Sequence, residues 1–310
     1  MYSYKCNFEC VHCSVNGGPW HTQVLEIDTI IKTLDDAYDI PSIQVVVLTG
    51  GEPTLYPKHL KTTISYAYKL GFTVRMVTNA WWARSYEEAK EFLHELYSCG
   101  LRELNISYDD FHLPWLKKFG GESNIINAAR AGADIGMKVL IATTKDKNST
   151  ISTKYIKELL MKEELLGRVE FLEDFIAPIG RGKHLTSVKN LSNNGCTDTG
   201  NVLTIHPDGK VVVCCGHIFS TEAVEILTAG NIKTDSLKDI IARIHKNVLY
   251  WWIFLRGPQE VLWKLSDESI VHRCEACYLL GTKYRNKLAL LAGKKEHIFN
   301  ALRRWEDVRI

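Results

Sequence analysis

The run Cys6-Asn7-Phe8-Glu9-Cys10-Val11-His12-Cys13 places three thiols within eight residues, and a loop so dense in sulfur folds around something it ligates. Thiolates at this spacing can hold three irons of a cubane [4Fe-4S] cluster, because such clusters are ligated by cysteine and a short spacing lets one loop wrap them. The fourth iron would stay open. Zinc is the competing occupant. Structural zinc takes four ligands, usually as two separated pairs, so here it would need His12 as the fourth.

A second element lies shortly downstream. Ile43 to Leu48 is a short, β-branched apolar run of the kind that makes a buried parallel strand, and it leads into Thr49-Gly50-Gly51-Glu52-Pro53. Glycines there let the backbone approach a ligand closely, Glu52 offers a carboxylate to an ammonium group, and Pro53 suits a first helical turn. Alone, this sequence would be an ordinary turn. Following a three-cysteine loop, it reads as a ligand-binding element.

The 310 residues are 45% hydrophobic and 24% charged, which fits one large globular domain or a domain with an appendage, and argues against disorder. A formal net charge of +2 without a basic stripe gives no reason to expect nucleic acid. Only five residues precede Cys6, too few for a signal peptide, and the longest apolar run, Val248 to Leu255, falls far short of the ~20 residues that span a bilayer. Nine cysteines without a secretory signal point to metal or redox chemistry in a reducing compartment. A cytoplasmic, oxygen-sensitive protein with no membrane partner is therefore expected.

Apolar strands alternate with amphipathic helices from Tyr2 to about Ala177. Six strands are expected: Tyr2 to Lys5, Ile43 to Leu48, Thr73 to Val77, Glu103 to Ser107, Lys138 to Ala142 and Val169 to Ile176. Helices are expected near Val24 to Tyr38, Pro57 to Leu70, Ser85 to Ser98, Ser123 to Ile135 and Thr153 to Glu163, with Gly71, Gly100 and Gly136 as C-terminal caps. This is an α/β fold, a partial (β/α)6 TIM-like barrel at residues 1–183, with a small cysteine-rich α+β extension at 184–310. Ligands in such barrels sit at the C-terminal ends of the strands. That edge would collect the cysteine loop, the glycine turn, Thr78 to Trp82, Ser107 to His112, Thr143 to Asp146, and Pro178 to Gly182, where the Arg181 guanidinium could clamp a carboxylate. Asn79 is also a common turn residue, His112 could be a hydrogen-bonded structural histidine, and Trp81 and Trp82 could be core.

The remaining cysteines follow Lys183. Val202 to Cys215 alternates around Pro207-Asp208-Gly209, a hairpin signal that would bring Cys196 near Cys214, while Cys274 and Cys277 lie sixty residues on. Four ligands result. Taken alone, two cysteine pairs would also suit a zinc ribbon. Cys214 and Cys215 are adjacent on a strand, so their side chains point to opposite faces and only one can ligate comfortably. Cys99, next to Gly100, reads as a small buried apolar side chain.

These motifs resemble those of the radical S-adenosylmethionine (SAM) superfamily, and the second cysteine set resembles the SPASM auxiliary-cluster domain in its shortened twitch form. The resemblance implies two [4Fe-4S] clusters: one on Cys6, Cys10 and Cys13, the other on Cys196, Cys214, Cys274 and Cys277. It also implies that Gly50, Gly51, Glu52 and Pro53 hold SAM, with Glu52 on its amino group, that Asn79 and Ser107 touch SAM, and that Asp109, Asp110 and His112 face the substrate. In detail the chain is most similar to the epipeptide peptidyl epimerases, through the cysteine loop, Leu48 to Glu52, Asn79-Ala80-Trp81, Ile106 to Asp109 with His112, Thr144-Lys145-Asp146, the Cys214-Cys215 doublet and the late Cys274-x2-Cys277. The longer stretch from Cys196 to Gly209, with Asp198, departs from that group. Resemblance implies Cα hydrogen abstraction from a precursor peptide, hydrogen return by the Cys215 thiol facing the barrel, and an external donor such as flavodoxin or ferredoxin. Alternatives are a thioether or carbon-carbon crosslinking maturase, a small-molecule dehydratase or decarboxylase, and a non-enzymatic iron-sulfur or zinc scaffold. A peptide is expected to be gripped by the barrel mouth and the C-terminal segment, with no separate leader-binding domain expected before Cys6; from Gly281 to Ile310 eight Lys or Arg stand against three acids, a charge that could attract an acidic leader or simply solvate a helix.

Overall fold

The computed structural model describes residues 1–189, 191 and 194–292. Its larger sheet is parallel, with strands β1 (Val45–Leu48), β2 (Thr73–Thr78), β3 (Leu101–Ser107), β4 (Lys138–Lys145) and β5 (Glu170–Phe175) side by side in chain order. Sequential parallel order, with each crossover right-handed, puts the helices on one face and curls the sheet into an open barrel. The crossovers are α1 (Ile27–Tyr38), α2 (Pro57–Lys69), α3 (Tyr86–Cys99), the single turn α4 (Leu113–Leu116) with α5 (Ser123–Ile135), and α6 (Thr153–Lys162).

Strand alternation sorts the side chains accordingly. Val74, Met76, Leu104, Ile106, Val139 and Ile141 are buried beneath the helices, with Leu60, Ile64, Leu93, Leu96 and Ile125 packing down on them. Arg75 and Glu103 pair on the opposite face, where Val45, Val47 and Leu172 are exposed. Helix ends follow local chemistry. Ser85 caps α3 by accepting from Glu88 N–H, and Gly100 and Gly136 close α3 and α5 in the left-handed region.

The sequence reading expects six strands, and five form. Tyr2 to Lys5 makes only isolated bridges, Ser3 with Val24 and Lys5 with Gly18. Its carbonyls go elsewhere: Ser3 O accepts from Gly51 N–H at 2.9 Å and Lys5 O from Glu52 N–H at 2.8 Å. The segment therefore pairs with the turn beyond β1, not with β1 itself. The α/β class is unchanged by this.

The chain leaves the barrel through a 3-10 turn at Gly180–His184. An antiparallel sheet follows, of β6 (Thr204–Ile205), β7 (Lys210–Val212) and β8 (Thr228–Asn231), with the β6–β7 turn at Pro207-Asp208-Gly209. Among the described residues the extension continues through five helices: α7 (Leu237–Lys246), α8 (Val248–Arg256), α9 (Pro258–Trp263), α10 (Arg273–Gly281) and α11 (Arg285–Ala292). It docks on the barrel through Leu237 N–H to Asp36, Lys238 to Asp39, and Met1 N to Ile205 O. Residues 293–310, which carry most of the basic C-terminal stretch, lie outside the described residues.

Candidate active site

The C-terminal ends of β1 to β4 and the cysteine loop enclose one cavity, walled by Cys6, Cys10 and Cys13, by Gly50, Gly51 and Glu52, and by Asn79, Ser107, His112 and Thr144. The loop holds its shape through Cys13 N–H to Cys10 O, and through Phe8 buried against Phe119. Two amides point at sulfur: Phe8 N–H donates to Cys6 Sγ at 3.3 Å and Gly17 N–H to Cys13 Sγ at 3.2 Å. All three thiols are free. Burial pushes the Cys6 thiol up, so an ionised sulfur there needs a cation, and amide donors to sulfur are a feature of iron-sulfur sites.

Glycine is required at position 51. A Cβ there would stand 2.0 Å from the Lys5 carbonyl oxygen, so a side chain would part the N-terminal segment from the turn. Glu52 is 2% exposed. Its Oε1 accepts from Thr54 N–H at 3.2 Å, Thr54 Oγ1 at 2.7 Å and Thr78 Oγ1 at 2.8 Å, and its Oε2 accepts from Asn79 N–H at 2.9 Å. Burial raises its carboxyl pKa against the pull of these donors. With one protein donor, Oε2 retains capacity for another. Asn79 is pinned between loop and turn, its Nδ2 donating to Asn7 Oδ1 at 3.0 Å and lying 3.8 Å from Cys6 Sγ.

Asp109 is 1% exposed and does not line the cavity. Its Oδ1 accepts from His112 N–H at 2.9 Å and sits 2.7 Å from His112 Nδ1, while Oδ2 lies 3.5 Å from His12 Nε2. The three side chains offer ligand atoms within 4.8 Å of one another. Burial alone would lower the His112 pKa, but Asp109 and Cys10 outweigh it and hold the imidazole well above its ordinary value. For His12 burial wins, taking it down to about 4. His12 Nδ1 is buried without a hydrogen-bond partner in the cavity wall. Such a group costs about 1–3 kcal/mol unless something polar meets it, which fits a polar ligand in this cavity.

A second, drier cavity is walled by Cys196, Cys214, Cys274 and Cys277. The β6–β7 hairpin and the Cys196 N–H to Ile253 O bond bring the first two together. Cys274 and Cys277 are three apart on α10, hence on one face, and His272 and Glu275 form a capping box at its start. Burial and mutual proximity push Cys214 and Cys277 well up, and burial takes Cys274 up to about 12. Four unbridged thiols, Cys196, Cys214 and Cys277 buried and Cys274 half-buried, suit a metal centre that would ionise them. His217, unremarkable in sequence, lines both cavities, and its backbone N–H bonds the Cys274 side chain.

Several expected site residues stand elsewhere. Arg181 donates through Nη1 to Gly17 O at 2.7 Å and lies outside the cavity lining, because the cysteine loop offers it a carbonyl at closer reach. Pro53 is buried as the first residue of a 3-10 turn and forms no part of the wall. Asp110 is spent on Thr150 and Ile151 backbone N–H groups and Thr150 Oγ1. Trp81 and Trp82 donate their indole N–H to Thr54 and Thr78. Cys215 does not face the barrel cavity. It is exposed, because the strand ends at Val212 and the chain turns there, and its thiol is pushed up to about 12 by desolvation and by a hydrogen bond to Asp198.

The profile of the Radical SAM superfamily matches residues 2–159. This chain belongs to the radical SAM superfamily. A SPASM iron-sulfur cluster-binding domain matches residues 196–278. Its cofactors are thus a [4Fe-4S] cluster and SAM, with a further iron-sulfur cluster in the SPASM domain. The Bacillus subtilis (strain 168) protein named "Putative peptide biosynthesis protein YydG" is 26% identical over 282 residues, which is 88% of this chain and 85% of that protein. A "Probable GTP 3',8-cyclase" of Saccharolobus solfataricus is 27% identical over 187 residues, 58% of this chain and 57% of the relative. Among solved structures, BtrN in complex with AdoMet and 2-DOIA covers 84% of this chain and 87% of its own, at 13% identity and a TM-score of 0.48. Among the described residues no helix is long and apolar enough to cross a membrane.

Proposed function

We propose that this radical SAM protein modifies a ribosomally made precursor peptide, converting L-residues to D-residues. The near full-length likeness to the peptide biosynthesis protein YydG supports the substrate class. One observation carries the reaction type: of two consecutive cysteines, Cys214 is buried with three others around the second cavity while Cys215 is exposed and left over. Cys6, Cys10 and Cys13 would hold one cluster, and Cys196, Cys214, Cys274 and Cys277 the other. Glu52 Oε2 would accept from the SAM ammonium, with Gly50, Gly51, Asn79 and Ser107 around it.

SAM bound there supplies, on one-electron reduction, abstraction of a hydrogen atom from carbon. The chain's part is to hold the peptide Cα at the cavity mouth and return hydrogen from the far side. Cys215 is two residues from His217, which lines the cavity, but its own thiol stands outside that cavity, so a peptide would have to run past the mouth for its second face to meet the thiol. The S–H bond would break as the Cα–H bond forms, leaving a sulfur radical. One electron from an external reductant, a flavodoxin or ferredoxin, and one proton from solvent would restore the thiol.

The test is mass spectrometry of a candidate precursor peptide incubated with SAM and reductant in deuterated water. Epimerisation adds one deuterium per inverted residue. A product about two mass units lighter, with no solvent deuterium, would replace this reading with crosslinking, in which two hydrogens are removed.

A further inference from the structure

The stretch that follows the cysteine loop ties the site to the protein surface. Gly17 N–H donates to Cys13 Sγ at 3.2 Å, and a Cβ on Gly17 would stand 3.6 Å from Cys6 Cβ, so this residue lies against both ends of the loop. Its carbonyl accepts from Arg181 Nη1 at 2.7 Å. The Arg181 guanidinium in turn lies 6.0 Å from the centroid of the Trp20 ring, which folds back over Gly18 and is 52% exposed. Sulfur, backbone, guanidinium and indole form one contiguous run from the cysteine loop to solvent. The 3-10 turn that carries Arg181 rests on the same loop, since a Cβ on Gly182 would come within 3.9 Å of His12 Cα. Lys183 and His184 follow and are exposed, as is Val11 in the loop itself.

Charge in these two segments is nearly of one sign. Residues 5–23 and 178–189 hold Lys5, Arg181, Lys183 and Lys189 against a single acid, Glu9. Among the described residues neither Arg181 nor Lys183 is in an ion pair, unlike Lys145 and Lys210. Aromatic residues and arginine are also what protein surfaces collect where they meet. Neither Trp20 nor Arg181 lines the SAM cavity, so a protein seated on this face leaves SAM and peptide in place. We infer that the face docks the electron donor, an acidic FMN-carrying protein of the flavodoxin type, with Trp20 against the apolar edge of the flavin and Arg181 and Lys183 meeting carboxylates around it. This rests on the reading that Cys6, Cys10 and Cys13 are cluster ligands. Electron transfer weakens steeply with distance, and Gly17, in contact with Cys13 Sγ, is the link through which this face reaches a ligand sulfur. One electron passes from the reduced flavin to the oxidised cluster, with no bond formed and no proton moved across the interface. Rim charges steer such an encounter more than they hold it, which suits a partner that must leave after each electron.

The experiment compares two reductants on the anaerobic holoenzyme: reduced flavodoxin, which must dock, and dithionite, which need not, with 5′-deoxyadenosine formation as the readout. Trp20→Ala and Lys183→Glu should each slow the flavodoxin-driven rate, and together by at least about tenfold, the low end of what charge steering contributes. The dithionite-driven rate and the bound iron should stay at wild-type values. Between about 0.05 and about 0.3 M salt, wild type should lose flavodoxin-driven rate more steeply than Lys183→Glu, because salt screens exposed charges. An unchanged flavodoxin-driven rate in the double variant would overturn the inference, and so would an equal loss with both reductants, which would make the two residues supports of the loop. Weaker binding of the precursor peptide with the flavodoxin response intact would assign the face to the peptide instead. Dependence on these residues with a ferredoxin but not with flavodoxin would remove the flavin partner. A wild type that forms no 5′-deoxyadenosine with dithionite would sink the cluster assignment itself, a failure distinct from all of these. Should the double variant lose iron, Lys183→Glu alone, at an exposed side chain, decides the matter.

Discussion

Cys214 and Cys215 are neighbours in sequence and opposites in environment: the first is buried among Cys196, Cys274 and Cys277, the second is exposed and bonded to Asp198. The backbone reinforces the division, since Gly216 N–H donates to Cys214 Sγ at 3.0 Å. Cys214→Ser should therefore lower bound iron to about half, as one of two clusters is lost, whereas Cys215→Ser should keep it. Iron and sulfide assays on anaerobically reconstituted protein read this directly. Full iron in Cys214→Ser with loss in Cys215→Ser would mean the two roles are exchanged.

The same pair separates catalysis from assembly. Cys215→Ala should still bind SAM and form 5′-deoxyadenosine, because neither step uses an exposed thiol outside the cavity. D-residue formation should fall below detection. Retained epimerisation in this variant would remove Cys215 as the hydrogen donor.

Glu52 has two duties, and its variants should reveal both. It caps the 3-10 turn at Pro53–Leu55 and ties β2 to that turn through Thr78 and Asn79. Glu52→Ala strands buried donors at about 1–3 kcal/mol each, so it should lower the melting temperature as well as SAM affinity. Glu52→Gln keeps an acceptor oxygen for the turn but gives up the charge. It should melt closer to wild type and still bind SAM at least tenfold more weakly by calorimetry. Wild-type SAM affinity in Glu52→Gln would detach this carboxylate from the ligand.

Much of this architecture was legible because its signals are local. The bounds of α2, α3 and α5 follow from Pro57, Ser85, Gly100 and Gly136, each acting on its own helix end. The cysteine spacings likewise report on one loop and one helix face. What sequence could not give is the destination of a side chain with several good partners. Arg181 is as well satisfied by the Gly17 carbonyl as by a ligand carboxylate, and a position at a strand end does not say that Asp109 turns inward to two histidines. Tyr2 to Lys5 has strand character, yet its pairing with the glycine turn depends on Gly51, forty-odd residues away. His217 sits in a stretch with no pattern, so nothing marked it as the residue between two cavities.

Gly195 stands beside Cys196, and its environment predicts a selective defect. A Cβ at this position would lie 1.8 Å from the Phe254 carbonyl oxygen, at the point where Cys196 N–H bonds Ile253 O. Gly195→Ala must move either α8 or the segment carrying Cys196. The auxiliary cluster should then be lost while SAM-sensitive EPR from the N-terminal cluster persists. An unchanged iron count would show that the Cys196 segment can shift without cost.

His206 makes stability depend on pH. It is 4% exposed at the end of β6, its Nδ1 bonded to the Tyr4 hydroxyl, its Nε2 buried without a partner and its ring edge-on to Phe219 at 4.7 Å. Burial, aided by the chain's amino terminus, lowers its pKa from 6.5 to about 4. In the unfolded chain the ring takes up a proton near pH 6.5, and in the folded chain not until about pH 4. Its contribution is therefore whole above pH 6.5 and is lost as pH falls toward 4, at about 1.4 kcal/mol per pH unit. His206→Gln cannot titrate and should be less stable than wild type at pH 7, where its amide meets the same buried site. The gap should narrow by about 1 kcal/mol between pH 6.5 and 5.5, where the unfolded ring goes from half to almost fully protonated, in denaturant titrations of the two holoproteins, the clusters being common to both. A gap that stays constant across that interval would mean His206 is protonated in the folded protein.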